Sequence, residues 1–204
     1  MENKYKVEQT RKNHFHFEIP MANKEQEVEV FLMENSQPNF LLKTKQENFD
    51  IDLNELSHRP YFLIKTKANQ YITAERTLPV EGMNNFRDMG GYETDSGKTV
   101  QWGKLYRSDH IHNATDKGIA YLQTLGIHTI IDYRSNVETQ KYPNKQISDQ
   151  VTTYQMDPSA HAAELAAQFQ SSKEEEDANL INEIIEQKEK KSPIKFIIIS
   201  RYYT

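Results

Sequence analysis

Short alternations of apolar and polar residues dominate the first third of the chain. Sets such as Phe15/Phe17/Ile19 and Phe49/Ile51/Leu53 place an apolar side chain at every second position. This period is typical of strands that bury one face. It predicts six strands, at His14–Ile19, Val28–Met33, Asn39–Lys45, Phe49–Leu53, Pro60–Thr66 and Gln70–Arg76. Several short strands at this spacing favour a small all-β, sandwich-like domain over residues 1–77.

From about residue 78 the pattern changes to alternating strands and helices. Leu105–Arg107 and His128–Tyr133 read as short strands. Between them, Thr115 is a helix N-cap candidate and Gly126 follows the last residue of the apolar helical face. A strand–helix–strand order predicts a right-handed crossover within a parallel sheet. Residues 78–204 are therefore predicted to form an α/β unit with flanking helices.

The last 50 residues contain two further predicted helices and one ambiguous apolar run. The helices are expected from Asp157 to Gln168 and over residues 173–191, where acidic residues come first and basic residues last. The run Lys195–Ile199 has two possible interpretations. It is either a buried strand or an exposed, aggregation-prone segment whose sheet partners are missing.

Composition excludes several classes of function. The 204 residues include 36% hydrophobic residues and carry a net charge of −5 without a long basic run, which disfavours nucleic-acid binding. No stretch approaches the ~18 apolar residues of a membrane span, and no signal peptide is visible, so a cytoplasmic location is expected. The chain has no cysteine, which excludes disulfides, thiolate metal sites and thiol nucleophiles from these residues.

Three sequence blocks then point to a known family. They read N-N-F-R-D-M-G-G-Y at 84–92, G-K-L-Y-R-S-D at 103–109 and L-G-I-H-T-I-I-D-Y-R-S at 125–135, followed by Glu138. In order and spacing they resemble the bacterial tyrosine/serine protein phosphatases, which are similar to dual-specificity phosphatases. The resemblance covers about residues 76–158. It implies an α/β phosphatase fold and substrates that are phosphorylated proteins or small phosphoesters.

The resemblance also implies a phosphate loop of the form H-C-x-x-G-K-D-R-T-G, in which the Cys thiolate attacks phosphorus. No such loop occurs in these 204 residues. We therefore expect a chain truncated before the nucleophile and inactive by that chemistry. Either the gene is disrupted, with an out-of-frame tail after about Pro193, or the chain is a genuine short paralogue. A noncatalytic pseudo-phosphatase or binding module is the alternative function.

Charged residues at the predicted strand ends are the candidate site. In a parallel sheet, ligands bind beyond the carboxyl ends of the strands, and Arg107, Asp109, Asp132 and Arg134 lie there. The family resemblance makes Asp132 the candidate general acid and makes the other three supports of the site. The alternative is a structural Asp–Arg network across the two strand ends.

The glycine-rich motif before these strands adds two more candidates. By resemblance, Arg87 and Asp88 support the phosphate-loop site; the alternative is an ion pair or a contact that holds the turn. Permissive backbone angles suffice to explain the Gly90–Gly91 pair. The paired histidines, such as His110 and His112, lack a third ligand at a recognisable spacing, so no metal or other cofactor is expected.

Overall fold

The structure is a computed structural model that describes residues 5–23, 25–56, 58–156 and 196–199. The chain forms two compact units, each discontinuous in sequence. The first unit comprises residues 1–78 and 87–103, and the second unit comprises residues 79–86 and 104–204. The helices predicted at 157–168 and 173–191 lie outside the described residues.

Two antiparallel sheets make up most of the first unit. One has the strand order β1-β2-β5 and the other has the order β4-β3-β6-β7. The strands are β1 (Lys6–Arg11), β2 (His14–Glu18), β3 (Val28–Glu34), β4 (Gln37–Thr44), β5 (Asn48–Asp52), β6 (Phe62–Lys65) and β7 (Gln70–Thr73). All six predicted strands are therefore present. The prediction missed β1, in which the alternation is hidden because Val7 is its one buried residue.

Apolar side chains of both sheets form one core in the first unit. Phe17 of β2 is fully buried; its ring stacks on Phe49 at 5.1 Å between centroids and meets Phe62 edge-on at 4.9 Å. Offset stacking and edge contacts of this kind stabilise a core beyond the area that they bury. The period-two alternation thus identifies the buried face correctly on β2, β3 and β5.

A parallel sheet is the centre of the second unit. Its four strands follow the order β11-β10-β12-β9, and each neighbouring pair is parallel. They are β9 (Leu105–Ser108), β10 (Thr129–Asp132), β11 (Thr152–Gln155) and β12 (Phe196–Ile199), and the two-residue strand β8 (Arg87–Asp88) precedes them in the chain. The predicted parallel arrangement is confirmed, and β12 lies between β9 and β10.

The position of β12 decides between the two interpretations of the run Lys195–Ile199. Ile197 and Ile199 are fully buried between β9 and β10, so the strand interpretation is correct. The register Thr129↔Phe196 and Asp132↔Ile199 pairs every residue of β12 with β10.

Helices α1 (Asp116–Thr124) and α2 (Asn136–Lys141) connect these strands, together with a 3-10 turn at Ile111–Asn113. The predicted N-cap is confirmed, since the Thr115 hydroxyl accepts a hydrogen bond from the Gly118 amide at 3.2 Å. Gly82, at φ +85°, packs against the backbone just before this cap. A Cβ atom at Gly82 would lie 2.1 Å from the Asn113 carbonyl oxygen. Close backbone packing therefore requires glycine at this position.

None of the described helices is both long enough and sufficiently apolar to cross a membrane.

Glu75 gives the first unit a pH-dependent contact. Its Oε1 atom accepts a hydrogen bond from the Gln9 amide at 3.1 Å. Burial raises the pKa of the Glu75 carboxyl above its usual 4.5, and the Gln9 amide only partly opposes the shift. The folded state therefore holds the proton more tightly than the unfolded chain, and this stabilisation is lost as pH rises through the raised pKa.

We predict that Glu75→Gln makes the chain more stable than wild type at pH 7, because the amide keeps an acceptor for Gln9 without a buried charge. The difference should shrink as the pH falls below about 4.5, where wild-type Glu75 is protonated in both states. Urea denaturation between pH 4 and 8 measures this, with the exposed Glu55→Gln as the matched control. A Glu75→Gln difference that does not vary with pH would contradict the assignment.

Candidate functional site

The carboxyl ends of three strands in the second unit lie at one level. Ile199 of β12 pairs with Asp132 of β10 on one side and with Ser108 of β9 on the other. Parallel strands lie about 4.8 Å apart, so the Cα atoms of Ser108 and Asp132 are about 10 Å apart across β12. The expectation that the two predicted strand ends share an edge is confirmed.

Asp132 and Arg134 form a buried ion pair at this edge. Arg134 donates from Nη2 to Asp132 Oδ2 at 2.6 Å and from Nε to Oδ1 at 2.9 Å, and its backbone amide donates to Oδ1 at 3.0 Å. The side chains are 2% and 4% exposed. Arg134 Nη1 also donates to the Tyr142 carbonyl oxygen at 2.8 Å. A bidentate pair with extra hydrogen bonds fixes both side chains in one geometry.

Asn144 connects this ion pair to the end of β9. Its amide Nδ2 donates to Asp132 Oδ2 at 2.8 Å, and its Oδ1 accepts from the Ile111 amide at 3.0 Å. Ile111 begins the 3-10 turn that follows β9. One side chain thus bridges the carboxyl ends of β10 and β9, so the network crosses the two strand ends through Asn144.

Two buried polar atoms beyond β9 have no hydrogen-bond partner among the described residues. They are Asp109 Oδ1 and His110 Nδ1; the other oxygen of Asp109 accepts from the Asn84 amide at 3.3 Å. A buried acceptor without a partner costs about 1–3 kcal/mol. Because they lie near the ligand-binding edge of a parallel sheet, these atoms make the corner a candidate for a further polar group or a water molecule.

An aromatic cluster forms the outer wall of that corner. The His110 ring stacks parallel on Tyr142 at 5.4 Å between centroids, and His112 packs edge-on against Tyr142 at 5.6 Å. His112 Nδ1 also lies 3.0 Å from the Pro143 carbonyl oxygen. The segment 142–144 therefore contacts the ion pair, the histidines and the turn after β9, and it holds these groups together.

Asp88 lies in the first unit and is the centre of a separate buried network. Its carboxylate accepts hydrogen bonds from Arg59 Nη1 at 2.5 Å, from the Gly90 amide at 2.7 Å and from the Gly103 amide at 2.7 Å. The Asp88 side chain is fully buried and that of Arg59 is 7% exposed. Arg76 adds hydrogen bonds to the carbonyl oxygens of Asp88 and Gly90, at 2.6 and 2.9 Å.

These contacts explain the glycine pair of the motif. Gly91 has φ +79°, which favours glycine. Gly90 instead permits a close approach, since a Cβ there would lie 2.5 Å from the Trp102 Cα atom. These contacts of Asp88 fit the interpretation in which it forms an ion pair and holds the turn. Arg87 is half-buried beside it, and Arg107 lies inside β9 with an exposed side chain.

Comparison of the sequence with known proteins identifies the family of the chain. The sequence profile described as the tyrosine phosphatase family matches residues 78–195, which is more than half of the chain. This chain belongs to the tyrosine phosphatase family. The match begins before Asp88 and includes β9, β10 and the network around Asp132 and Arg134.

A curated protein that is similar in sequence to this chain supports the same family. It is a protein of Cupriavidus necator named as a candidate tyrosine-protein phosphatase, and it is 34% identical over 64 residues. Those residues are 31% of this chain and 23% of the relative. The chain therefore aligns with about a quarter of the length of the relative.

The sequence did not predict the site roles of Asn144, Tyr142 and His110. Asn144 and Tyr142 follow no strand motif, and their contacts depend on the path of the chain after α2. His110 directly follows the motif at 103–109, but its stacking on Tyr142 depends on the same path. The one available signal was Ser135-x-x-Glu138, a capping-box pattern. Recognising it would have predicted α2 and therefore the return of residues 142–144 to the strand ends.

We predict that Asn144→Ala lowers the free energy of unfolding by about 1–3 kcal/mol, because the Ile111 amide and Asp132 Oδ2 each lose a partner. Asn144→Asp should be at least as destabilising, since it places a second carboxylate against Asp132. Chemical denaturation measures both, with the exposed Gln140→Ala as the control. Equal stability of all three variants would exclude the bridging role.

We predict that Asp88→Ala lowers the free energy of unfolding by about 3–5 kcal/mol, because it leaves the buried Arg59 guanidinium without its counter-charge. The exposed turn residue Asp95 provides the matched Asp→Ala control, expected within about 0.5 kcal/mol of wild type. Thermal unfolding followed by circular dichroism compares the two variants. A similar small effect for both would show that the Arg59–Asp88 pair does not hold the turn.

Proposed function

We propose that the second unit is the framework of a phosphoester hydrolase whose substrates are phosphorylated proteins or small phosphoesters. Its site lies at the shared carboxyl edge of β9, β12 and β10. We further propose that these 204 residues do not turn over phosphoesters through a thiolate, because they contain no cysteine. Family membership supports the first statement.

The observation that supports this location most directly is the unpaired corner beyond β9. Asp109 Oδ1 and His110 Nδ1 are buried without partners in the described part of the chain, beside the rigid Asp132–Arg134 pair. A histidine and a carboxylate can each exchange a proton with a bound group. A polar ligand at this corner would satisfy atoms that otherwise destabilise the fold.

Asp132 remains the candidate general acid by family resemblance, and its contacts favour an additional role. Both of its oxygens accept hydrogen bonds from Arg134, and Oδ2 also accepts one from Asn144. These contacts hold the carboxyl group in one orientation. We therefore propose that Asp132 and Arg134 hold the strand edge in place and that Arg107 and Asp109 complete the site.

Arg87 and Asp88 support the fold of the glycine-rich turn in this proposal. They belong to the first unit. We propose that residues 1–77 of that unit form a two-sheet sandwich. The common core of the two sheets favours that arrangement. The resemblance also favours a bacterial protein whose relatives have dual-specificity-like activity, and the lack of a visible signal peptide or membrane span favours a cytoplasmic location.

The alternative is a noncatalytic pseudo-phosphatase or binding module. The buried cores of both units favour it over an unfolded gene product, since β12 supplies the middle strand of the sheet. The pseudo-phosphatase form of this alternative requires that free phosphotyrosine binds without being hydrolysed. A binding module that acts through the first unit does not require phosphotyrosine binding.

We predict that the purified chain releases p-nitrophenol from p-nitrophenyl phosphate no faster than a buffer blank, because no thiolate is present to accept the phosphoryl group. Asp132→Asn should give the same rate. Intact-mass spectrometry after incubation should show no phosphoryl adduct. Phosphotyrosine titrated into labelled protein, followed by NMR, reports binding at His110 and separates the two functions.

One result would overturn the predicted inactivity. It is phosphate release that stays with the protein through a second purification step and falls in Asp132→Asn. The control is Gln140→Asn, which replaces an exposed residue of α2 and shows whether activity is lost during purification alone. Release that is equal in all variants would instead indicate a contaminating enzyme.

A further inference from the structure

The first unit contains a cavity of about 950 Å³. It lies outside the strand edge described above and is lined only by residues of the first unit. Its walls come from the β3–β4 turn, from β7 and from the loop that ends at Trp102. Its volume is at the upper end of the range of about 300–1,000 Å³ that is typical of small-molecule sites.

Hydrogen bonds fix the inner wall of this cavity. The Trp102 indole Nε1 donates to the Ile72 carbonyl oxygen at 2.9 Å. Arg59 lies 5.1 Å from the centroid of the Tyr61 ring and 6.0 Å from that of Trp102, and Asp88 holds it there. Trp102 and Tyr61 therefore cannot rotate freely, so a ligand would meet a wall that is already formed.

Two tyrosines form the outer wall. The rings of Tyr5 and Tyr71 lie 4.8 Å apart between centroids, and burial raises the pKa of the Tyr5 hydroxyl to about 12. Tyr71 is 37% exposed and Ile72 is 50% exposed. The partly exposed Tyr71 ring is therefore accessible to a ligand that enters the cavity.

The polar lining of the cavity is mostly uncharged, and its two residues that are charged at neutral pH are Arg59 and Glu93. Asp88 already neutralises Arg59, the cation of the inner wall. Three amide side chains, those of Asn35, Gln70 and Gln101, line the rim and make no side-chain hydrogen bond to the described residues. Each amide offers both donors and an acceptor. A ligand that matches this rim has hydroxyl groups and no net charge.

We propose that this cavity binds a neutral saccharide. The C–H faces of a sugar ring are apolar and pack against aromatic rings, and its hydroxyls both donate and accept hydrogen bonds. Tyr71 and Trp102 supply the rings, and the three amides supply the complementary polar groups. An anionic ligand would need an unpaired cation in the inner wall, where Arg59 is paired. The inference is independent of any phosphatase activity.

Trp102 is the one tryptophan of the chain, so its fluorescence reports on this cavity alone. We expect a saturable change in emission when the full chain is titrated with at least one of maltohexaose, cellohexaose and chitohexaose. Tyr71→Ala should weaken that binding about fivefold or more through loss of ring contact. Gln70→Ala should weaken it about threefold or more through loss of hydrogen bonds.

Phe40→Ala is the matched control, since Phe40 is an exposed aromatic residue of the same sheet, 59% exposed, that does not line the cavity. It should bind as wild type does. Circular dichroism confirms that each variant is folded. The proposal is overturned if no hexasaccharide gives a saturable change up to millimolar concentration, or if Tyr71→Ala and Phe40→Ala bind equally. It is also overturned if phenol, an uncharged aromatic compound, gives a saturable change in Trp102 emission and no saccharide does.

Discussion

Four residues hold the second unit together. Strand β12 pairs on both sides, with β9 and with β10, so it joins the two strands whose ends form the candidate site. Ile197 and Ile199 are fully buried there, and the hydrogen-bond ladder fixes Asp132 and Ser108 at one level. Every distance in the site therefore depends on the register of this short strand.

The site combines a rigid half with an unsatisfied half. Asp132, Arg134 and Asn144 satisfy one another through short hydrogen bonds, and such closed networks specify a single geometry. Asp109 and His110 follow the end of β9 and have buried atoms that lack partners in the described part of the chain. A fixed framework beside unpaired polar groups is the arrangement expected of a site that receives a further group.

Local patterns in the sequence predicted the fold well and the site only in part. The alternation on β2, β3 and β5 and the Thr115 cap report interactions between residues that are close in sequence, so they are legible without the structure. The insertion of β12 between β9 and β10 is a long-range pairing that no local pattern encodes. Asn144 was missed for the same reason, because its two partners lie 12 and 33 residues away.

The Arg59–Asp88 pair has a consequence for how the chain emerges during synthesis. Arg59 belongs to the all-β part of the chain, yet its counter-charge comes 29 residues later, and the Gly103 amide that completes the network comes 15 residues after that. A ribosome releases these residues in order, so the nascent β-strands hold an uncompensated guanidinium until the later loop arrives. The first unit can thus reach its final packing only after its last segment has left the exit tunnel.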